Sequence, residues 1–251
     1  MTRIFEILNL KNPQVHLLEL HKKGELISLL PELVELDTND KGHKNNLIHT
    51  FGVLENVCKI TDDLKMKLVA LFHDIGKIRT RKVTEGGKWT FHNHEIVGAE
   101  LTMKLFDRLN IQDDYLREYV YRMIYFHGRV KMHRDVTEAA IRRLDKEVGP
   151  DIIFDLIEFC KCDLTTKFDD KRERIVTSLN TIRDRIIDVR KKDKDAEWRS
   201  PLTGNMIMEI LNIESSRLVG DIKKELDPKL KNGEITLDEA IQTVVDKYKK
   251  G

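Results

Sequence analysis

An all-α fold is what this chain predicts, and three observations predict it. Apolar residues recur at spacings of three and four in one segment after another, the mark of helices with one buried face. A single short stretch, residues 80–93, breaks that pattern and carries a glycine pair between residues of strand type. From Asp169 to Trp198 an apolar thread of Ile175, Leu179, Ile182, Ile186 and Val189 runs through charged residues, as in one long amphipathic helix. The expected architecture is a helical bundle with a small β-hairpin, followed by a helical tail.

Taken in order, Leu17, Leu18 and Leu20 with Ile27, Leu29 and Leu30 suggest a short opening helical region that Pro31 breaks. Asp37 to Asn46 is a polar loop rich in turn formers. Helices then cover about 46–60, 63–76, 94–109, 113–127, 136–147 and 150–163. Gly76 stands where a helix C-cap is expected, and Asp135 is the expected N-cap of the helix that begins at Val136. Val83-Thr84, Glu85-Gly86-Gly87-Lys88 and Trp89-Thr90-Phe91 read as the hairpin, since paired glycines permit the positive φ of a tight turn. Ser200-Pro201-Leu202-Thr203-Gly204 is a linker, and three short helices close the chain. Ser215 or Ser216 can cap the second, and Thr236-x-x-Glu239 is a capping-box pattern for the third.

Composition bounds the function. A chain of 251 residues suits one large or two small domains. Hydrophobic residues at 40% support a real core, and charged residues at 35% imply heavily solvated surfaces. The net charge of +1 gives no global basicity that would announce nucleic acid. Three cysteines, Cys58, Cys160 and Cys162, sit in apolar surroundings and fit reduced thiols in a cytosolic protein. Cys160-x-Cys162 reads as core packing ahead of a soft-metal pair. Met1-Thr2-Arg3 is not followed by a long apolar stretch, and no window approaches the roughly 20 apolar residues that span a bilayer. The expected location is the cytoplasm, with no membrane partner.

The most informative local feature is His73-Asp74, at the end of a run as apolar as Leu64, Met66, Leu68, Val69, Leu71 and Phe72. Two polar groups there are either a surface histidine with a capping aspartate, or metal ligands, because buried charges are normally paired or coordinated. Other residues favour the metal. His49 opens a helix-like stretch, His94-Glu95 opens another, His127 closes the run from Tyr115, and Asp163 lies near the end of a further apolar segment. A set in the order His, His-Asp, His, His, Asp, spread over five segments, points to one site assembled from helix ends.

At these residues the chain resembles the HD superfamily of metal-dependent phosphohydrolases. That motif is a His, a His-Asp pair and a distant Asp, matched here by His49, His73, Asp74 and Asp163. Members with extra histidines often bind two metals, and His94 and His127 match those positions. More narrowly, Leu30-Pro31-Glu32-Leu33, Ile48-His49-Thr50, His73 to Lys77, Trp89 to Glu95, Val97-Gly98-Ala99, Val136 to Leu144, Cys162 to Lys167, Val219 to Lys223 and Asn232 to Ile235 resemble the C-terminal half of bacterial CCA-adding enzymes. The blocks fall in that family's order from about residue 25 onward. The nucleotide-adding head of that family has no counterpart: no Gly-Ser pair opens such a site, and Asp193-Lys194-Asp195 lies in a charged helical stretch. The resemblance therefore implies a free-standing HD-domain helical bundle with a tail, divided as an N-terminal segment 1–40, an HD domain 41–165 and a helical tail 166–251. Nucleotide addition is not carried over.

The resemblance implies a metal-dependent phosphohydrolase or phosphodiesterase holding one or two divalent ions. Imidazole and carboxylate donors suit Mn, Fe, Co, Ni or Zn, and Mg less well. Such an ion lowers the pKa of coordinated water and polarises a phosphoryl oxygen. His49, His73, Asp74 and Asp163 would form one site, His94 and His127 the second, with Asp74 best suited to bridge. Lys77 matches a family lysine beside the substrate. Asp74, Lys77 and Glu95 are the expected catalytic residues, and Lys77, Arg79 and Arg129 the expected substrate contacts. Glu95 fits three roles: orienting His94, shuttling a proton, or supplying negative charge to a first helical turn. His92 is a peripheral candidate. Arg79, Arg81, Lys82, Lys88, Arg129 and Lys131 are either a positive rim or an ordinary solvated surface. Trp89 and Phe91 either stack on a base or pack inward. His16, His21, His43 and His133 read as surface or packing residues. The expected substrate is a nucleotide, a 2′,3′-cyclic phosphate or an RNA end. From Lys167 to Arg199 the chain holds eleven basic and eight acidic residues, an excess too small to prove RNA binding. The rival readings are a non-catalytic tRNA- or RNA-binding module, and a partner subunit for a separate nucleotidyltransferase.

Overall fold

Between Leu64 and Phe72 only Lys65 and Lys67 are polar, so a helix there has almost no face fit for water. The computed structural model, which describes residues 3–38, 45–130, 137–166 and 168–249, surrounds this segment accordingly. Helix α6 (Leu64–Phe72) is buried from Met66 to Phe72 and packs against α5 (Asn46–Ile60), α9 (Asp114–Phe126), α11 (Ile153–Cys162) and α1 (Arg3–Leu8). Lys67 is tolerated inside because its ammonium donates to the Leu8 carbonyl at 3.2 Å and to Asp62 at 3.3 Å. Each fully buried Leu or Phe here contributes about 1.5–3 kcal/mol relative to exposure.

The remaining elements follow in chain order. Helices α2 (Pro13–Lys22), α3 (Leu26–Leu29) and α4 (Pro31–Val34) form the opening helical region. Pro31 ends α3 as expected but also starts α4, because a proline at the first helical position loses no needed N–H and already has a helical φ. α5 is capped by Asn45, whose side chain accepts from the Ile48 N–H.

The helix expected over 63–76 stops at Phe72 and restarts as α7 (Lys77–Thr80). Gly76 is therefore not the C-cap glycine that its position suggests; its φ is −64°. Its small size serves a close approach instead. A Cβ at Gly76 would lie 2.0 Å from the His94 carbonyl oxygen and 2.5 Å from the Gly98 nitrogen, so the His73–Gly76 turn lies directly on α8 (His94–Arg108).

The hairpin is small: β1 (Lys82–Val83) pairs antiparallel with β2 (Trp89–Thr90), Lys82 opposite Thr90 and Val83 opposite Trp89. Of the paired glycines only Gly87 takes a positive φ, 72°. Helix α8 packs on α9. Helix α10 (Glu138–Val148) is capped by Thr137, which accepts from the Ala140 N–H at 3.2 Å. The expected cap Asp135 and first residue Val136 lie outside the described residues, as do His43, Lys131, His133 and Lys167. The long helix is α12 (Asp169–Glu197), and Leu179, Ile182, Ile186 and Val189 of its apolar thread are buried.

The chain separates into two units, Met1–Val189 and Arg190–Gly251, each with its own core. The second core joins Leu202, Ile207, Val219, Ile222, Leu226, Ala240 and Val244, from α13 (Gly204–Leu211), α14 (Arg217–Lys231), α15 (Leu237–Tyr248) and the segment before them. Ser216 occupies the N-cap position of α14, but its side chain makes no capping hydrogen bond. Among the described residues no helix is long and apolar enough to cross a membrane.

The capping box of α15 is complete: Thr236 accepts from the Glu239 N–H at 3.3 Å, and the Glu239 carboxylate accepts from the Thr236 N–H at 2.8 Å. Thr236→Ala should destabilise the second unit by about 1 kcal/mol, read by urea unfolding followed by circular dichroism. An unchanged midpoint would show that the box contributes nothing.

Candidate metal centre

Five of the six expected ligands stand at helix ends. His73 is the C-cap of α6, with Asp74 the next residue. His94 is the first residue of α8, His127 the C-cap of α9 and Asp163 the C-cap of α11. His49 lies in α5, four residues after its cap. Asn93, just before His94, has a φ of 62°, a left-handed conformation that asparagine tolerates better than most residues.

Each imidazole is oriented by its Nδ1. His73 Nδ1 reaches the Ala70 carbonyl at 2.9 Å, His94 Nδ1 the Phe91 carbonyl at 2.8 Å and His127 Nδ1 the Ile124 carbonyl at 2.6 Å. His49 Nδ1 reaches Thr165 Oγ1 at 2.9 Å. A carbonyl only accepts, so in the neutral ring Nδ1 carries the hydrogen and the Nε2 lone pair faces inward.

The six side chains converge as two triads. His49, His73 and Asp163 form one, and Asp74, His94 and His127 the other, with ligand atoms within 4.8 Å of one another in each. Asp74 faces both. Its Oδ2 lies 3.4 Å from His49 Nε2 and 3.3 Å from His73 Nε2, while Oδ1 lies 3.5 Å from His94 Nε2. Asp163 Oδ1 is 2.9 Å from His49 Nε2 and 3.4 Å from His73 Nε2. Neighbouring rings are 5.3–5.5 Å apart. His73 Nε2 is buried without a hydrogen-bond partner although two carboxylates lie beside it. An orphaned nitrogen among acid groups is the donor set that a cation would satisfy.

The electrostatics agree. Burial works against the charge on His73, yet the carboxylates of Asp74 and Asp163 outweigh it and hold the ring's pKa at about 9. Without a metal, a proton supplies the positive charge. Burial also opposes ionisation of Asp74, but His73 and Lys77 hold its carboxyl well below the usual range. Burial lowers the pKa of His49, aided by the nearby His73 charge and only partly offset by Asp163. That ring is neutral at pH 7 and ready to donate a lone pair.

The surrounding cations divide. Lys77 Nζ sits 2.6 Å from Asp74 Oδ2, at the centre itself. Arg79 is largely exposed and lies 4.0 Å from Glu35. Arg129 pairs with Glu147 at 2.9 Å and lies over the rings of Tyr125 and Phe126. Arg81 stacks on Trp89, 4.7 Å from its ring centre. Glu95 Oε2 is 3.3 Å from His94 Nδ1, and its carboxylate packs against Gly128, where a Cβ would lie 2.2 Å from Glu95 Oε1. His92 is exposed, and His21 pairs with Asp37 at 2.9 Å. Cys160 is buried, its thiol 3.3 Å from the His127 carbonyl. Burial and Glu158 push the Cys162 thiol up to about 11, so it stays protonated, as suits packing more than a soft-metal pair.

Sequence reasoning had no role for several neighbours. Thr165 orients His49, and the Thr165-Thr166 pair just after Asp163 is its only local signal. The Phe159 ring stands 5.4 Å from His73. Gly98 and Gly128 leave room for Gly76 and Glu95. None of these has a spacing that separates it from ordinary core residues.

Comparison with known proteins identifies the domain that carries these residues. The HD domain family model matches residues 46–189. The chain is 27% identical over 163 residues to the multifunctional CCA protein of Alcanivorax borkumensis, covering 61% of this chain and 38% of that protein. It is 26% identical over 213 residues to the multifunctional CCA protein of Thioalkalivibrio sulfidiphilus, covering 80% and 50%. To the A-adding tRNA nucleotidyltransferase of Deinococcus radiodurans it is 34% identical over 101 residues, covering 38% and 23%. The chain thus spans half or less of the length of these relatives.

Three outcomes follow from the charges and the packing of the centre. Metal must displace the His73 proton, so affinity for Mn or Ni should rise about tenfold per pH unit below about 9 and level off above it. Calorimetric titrations between pH 6 and 8 check this, and a flat affinity would count against metal at His73. By the same linkage, His73 stabilises the metal-free fold fully below its ordinary pKa of 6.5, and that stability is lost as the pH rises through about 9. Gly76→Ala would force the turn off α8 and should cost about 2–4 kcal/mol together with most metal affinity. Thermal melts and metal analysis read both effects.

Proposed function

The chain belongs to the HD domain family, and from that premise we propose that it is a metal-dependent phosphohydrolase or phosphodiesterase acting on a nucleotide, a 2′,3′-cyclic phosphate or an RNA end. The observation that carries this reading is the pair of adjacent triads with Asp74 facing both. Six ligating side chains at this spacing, four of them imidazoles held by their Nδ1 atoms, would hold one or two divalent ions, with His49, His73, Asp74 and Asp163 around the first and Asp74, His94 and His127 around the second. When bound, such an ion lowers the pKa of water and acts as a Lewis acid toward a phosphoryl oxygen.

The chain's own groups supply the rest. Asp74 stays ionised and turns one oxygen to each triad. Lys77, a short ion pair away, presents an ammonium where a phosphate oxygen would lie and stays fixed by Asp74 Oδ2. Glu95 positions His94 from the first turn of α8, wedged against Gly128. Exchange of the His73 proton for a divalent ion would raise the positive charge of the centre by one, which suits an anionic ester. Arg79 and Arg129 each have an acidic neighbour in this structure, so as substrate contacts they would have to exchange it for phosphate.

One relative, the A-adding tRNA nucleotidyltransferase of Deinococcus radiodurans, carries tRNA in its name, which favours an RNA end among the candidate substrates. We assign the helical tail from residue 166 to RNA contact and the protein to the cytoplasm, where its three free thiols would stay reduced. The test is turnover of bis-p-nitrophenyl phosphate and 2′,3′-cyclic AMP by metal-loaded protein. Asp74→Ala should lower it by about a hundredfold or more. No bound metal and no turnover, with salt-sensitive tRNA binding, would replace the enzyme by a non-catalytic RNA-binding module or a partner subunit.

A further inference from the structure

Three of the ligands stand at helix C-termini, and two of them finish their own helices. His73 and His127 each bring Nδ1 back to a carbonyl of the last turn, that of Ala70 and that of Ile124. The third is Asp163, the C-cap of α11. A carboxylate only accepts, so the Asp163 side chain can satisfy none of the carbonyls that a helix end leaves without partners. A side-chain donor for this end has to come from another element.

It comes from α5. Asn56 Nδ2 donates to the carbonyl of Cys162, the last residue of α11, at 2.9 Å and across 106 residues of chain. Asn56 follows His49 by about two helical turns, so both lie on one face of α5. Gly52 lies between them on that face, and a Cβ there would stand 3.6 Å from the Thr165 methyl. His49 itself meets the Thr165 hydroxyl at 2.9 Å and Asp163 Oδ1 at 2.9 Å. One stripe of α5, made of His49, Gly52 and Asn56, therefore grips the chain from Cys162 to Thr165. Apolar packing between the two helices is non-directional, whereas a hydrogen bond has a narrow range of length and angle. Packing sets how far apart the helices lie, and Asn56 sets their register. A slip of one residue is about 1.5 Å, while metal–ligand distances tolerate about 0.2 Å.

We propose that Asn56 is a positioning residue of the metal centre: it closes the end of α11 from α5 and so holds Asp163 in place against His49 for the first ion. Two turns from His49, about 10 Å along the helix axis, Asn56 acts through Asp163 and not as a ligand. The inference rests on the proposal that this centre holds a metal, and is independent of which phosphate ester is cleaved.

Cobalt binding tests it without turnover, because the visible absorption of Co(II) reports the geometry of its ligands as well as their presence. Asn56→Leu keeps the size of the side chain and removes the donor. It should lower cobalt affinity by about tenfold or more and change the intensity of the visible bands. The metal-free protein should melt no more than about 4 °C lower, as one lost hydrogen bond implies. Asn56→Asp keeps the shape but sets an acceptor against the Cys162 carbonyl, and should weaken cobalt at least as far. Unaltered affinity and bands in both variants would overturn the proposal. So would a weaker affinity with unchanged bands and a larger drop in melting temperature, which marks a general packing defect. Failure of the unaltered protein to bind cobalt would overturn it as well. Turnover of bis-p-nitrophenyl phosphate, with cobalt binding indifferent to both substitutions, sinks the inference and leaves the hydrolase. Altered cobalt binding in the variants, without turnover by the unaltered protein, does the reverse.

Discussion

Two carboxylates placed where water scarcely reaches must be answered by positive charge, and the first unit is organised around that requirement. Asp74 is 2% exposed and Asp163 lies beside it across His49 and His73. An isolated buried carboxylate would simply take up a proton. Here Asp74 stays ionised because Lys77 reaches one oxygen and His73 holds a proton far above its ordinary pKa. The proton and the ammonium satisfy in part what a divalent cation would satisfy more completely. Hence the centre can be charge-compensated before loading and still have a strong reason to load.

Helix ends make the convergence possible. A side chain at a C-cap can aim its ring at the core while its Nδ1 satisfies a carbonyl of the last turn that would otherwise lack a partner. His73 and His127 do this, and His94 repeats the contact from the start of α8. The same bond that finishes the helix fixes the tautomer, so ligand geometry comes with secondary structure and needs no separate scaffold. Close contact of Gly76 with Gly98 then sets how near His94 comes to Asp74. The two small residues act through backbone contact beside the ligands, by setting the position of a whole helix.

Much of this was legible beforehand where a local pattern exists. The apolar thread of α12, the capping box of α15, the hairpin and the six convergent side chains all rest on short-range spacing or on residue types with few other uses in an apolar segment. Less legible were features whose meaning depends on a partner far along the chain. Gly76 looks like a C-cap, because a glycine at a helix end usually is one, and only α8 gives it another purpose. Pro31 looks like a stop and is also a start. Thr165 looks like any threonine until His49, 116 residues away, is placed against it.

The chain alone therefore determined its helices, its family resemblance and the identity of the side chains that meet, because periodicity and residue chemistry are local properties. Only the tertiary structure decided that those side chains divide into two triads with Asp74 between them, that Lys77 rather than Arg79 or Arg129 stands at the centre, and that Asn56 of α5 meets the end of α11 beside Asp163. Those facts depend on distances between helices. Such distances follow from how cores fill and from which glycines allow backbones to touch, and neither is written in the spacing of any one segment.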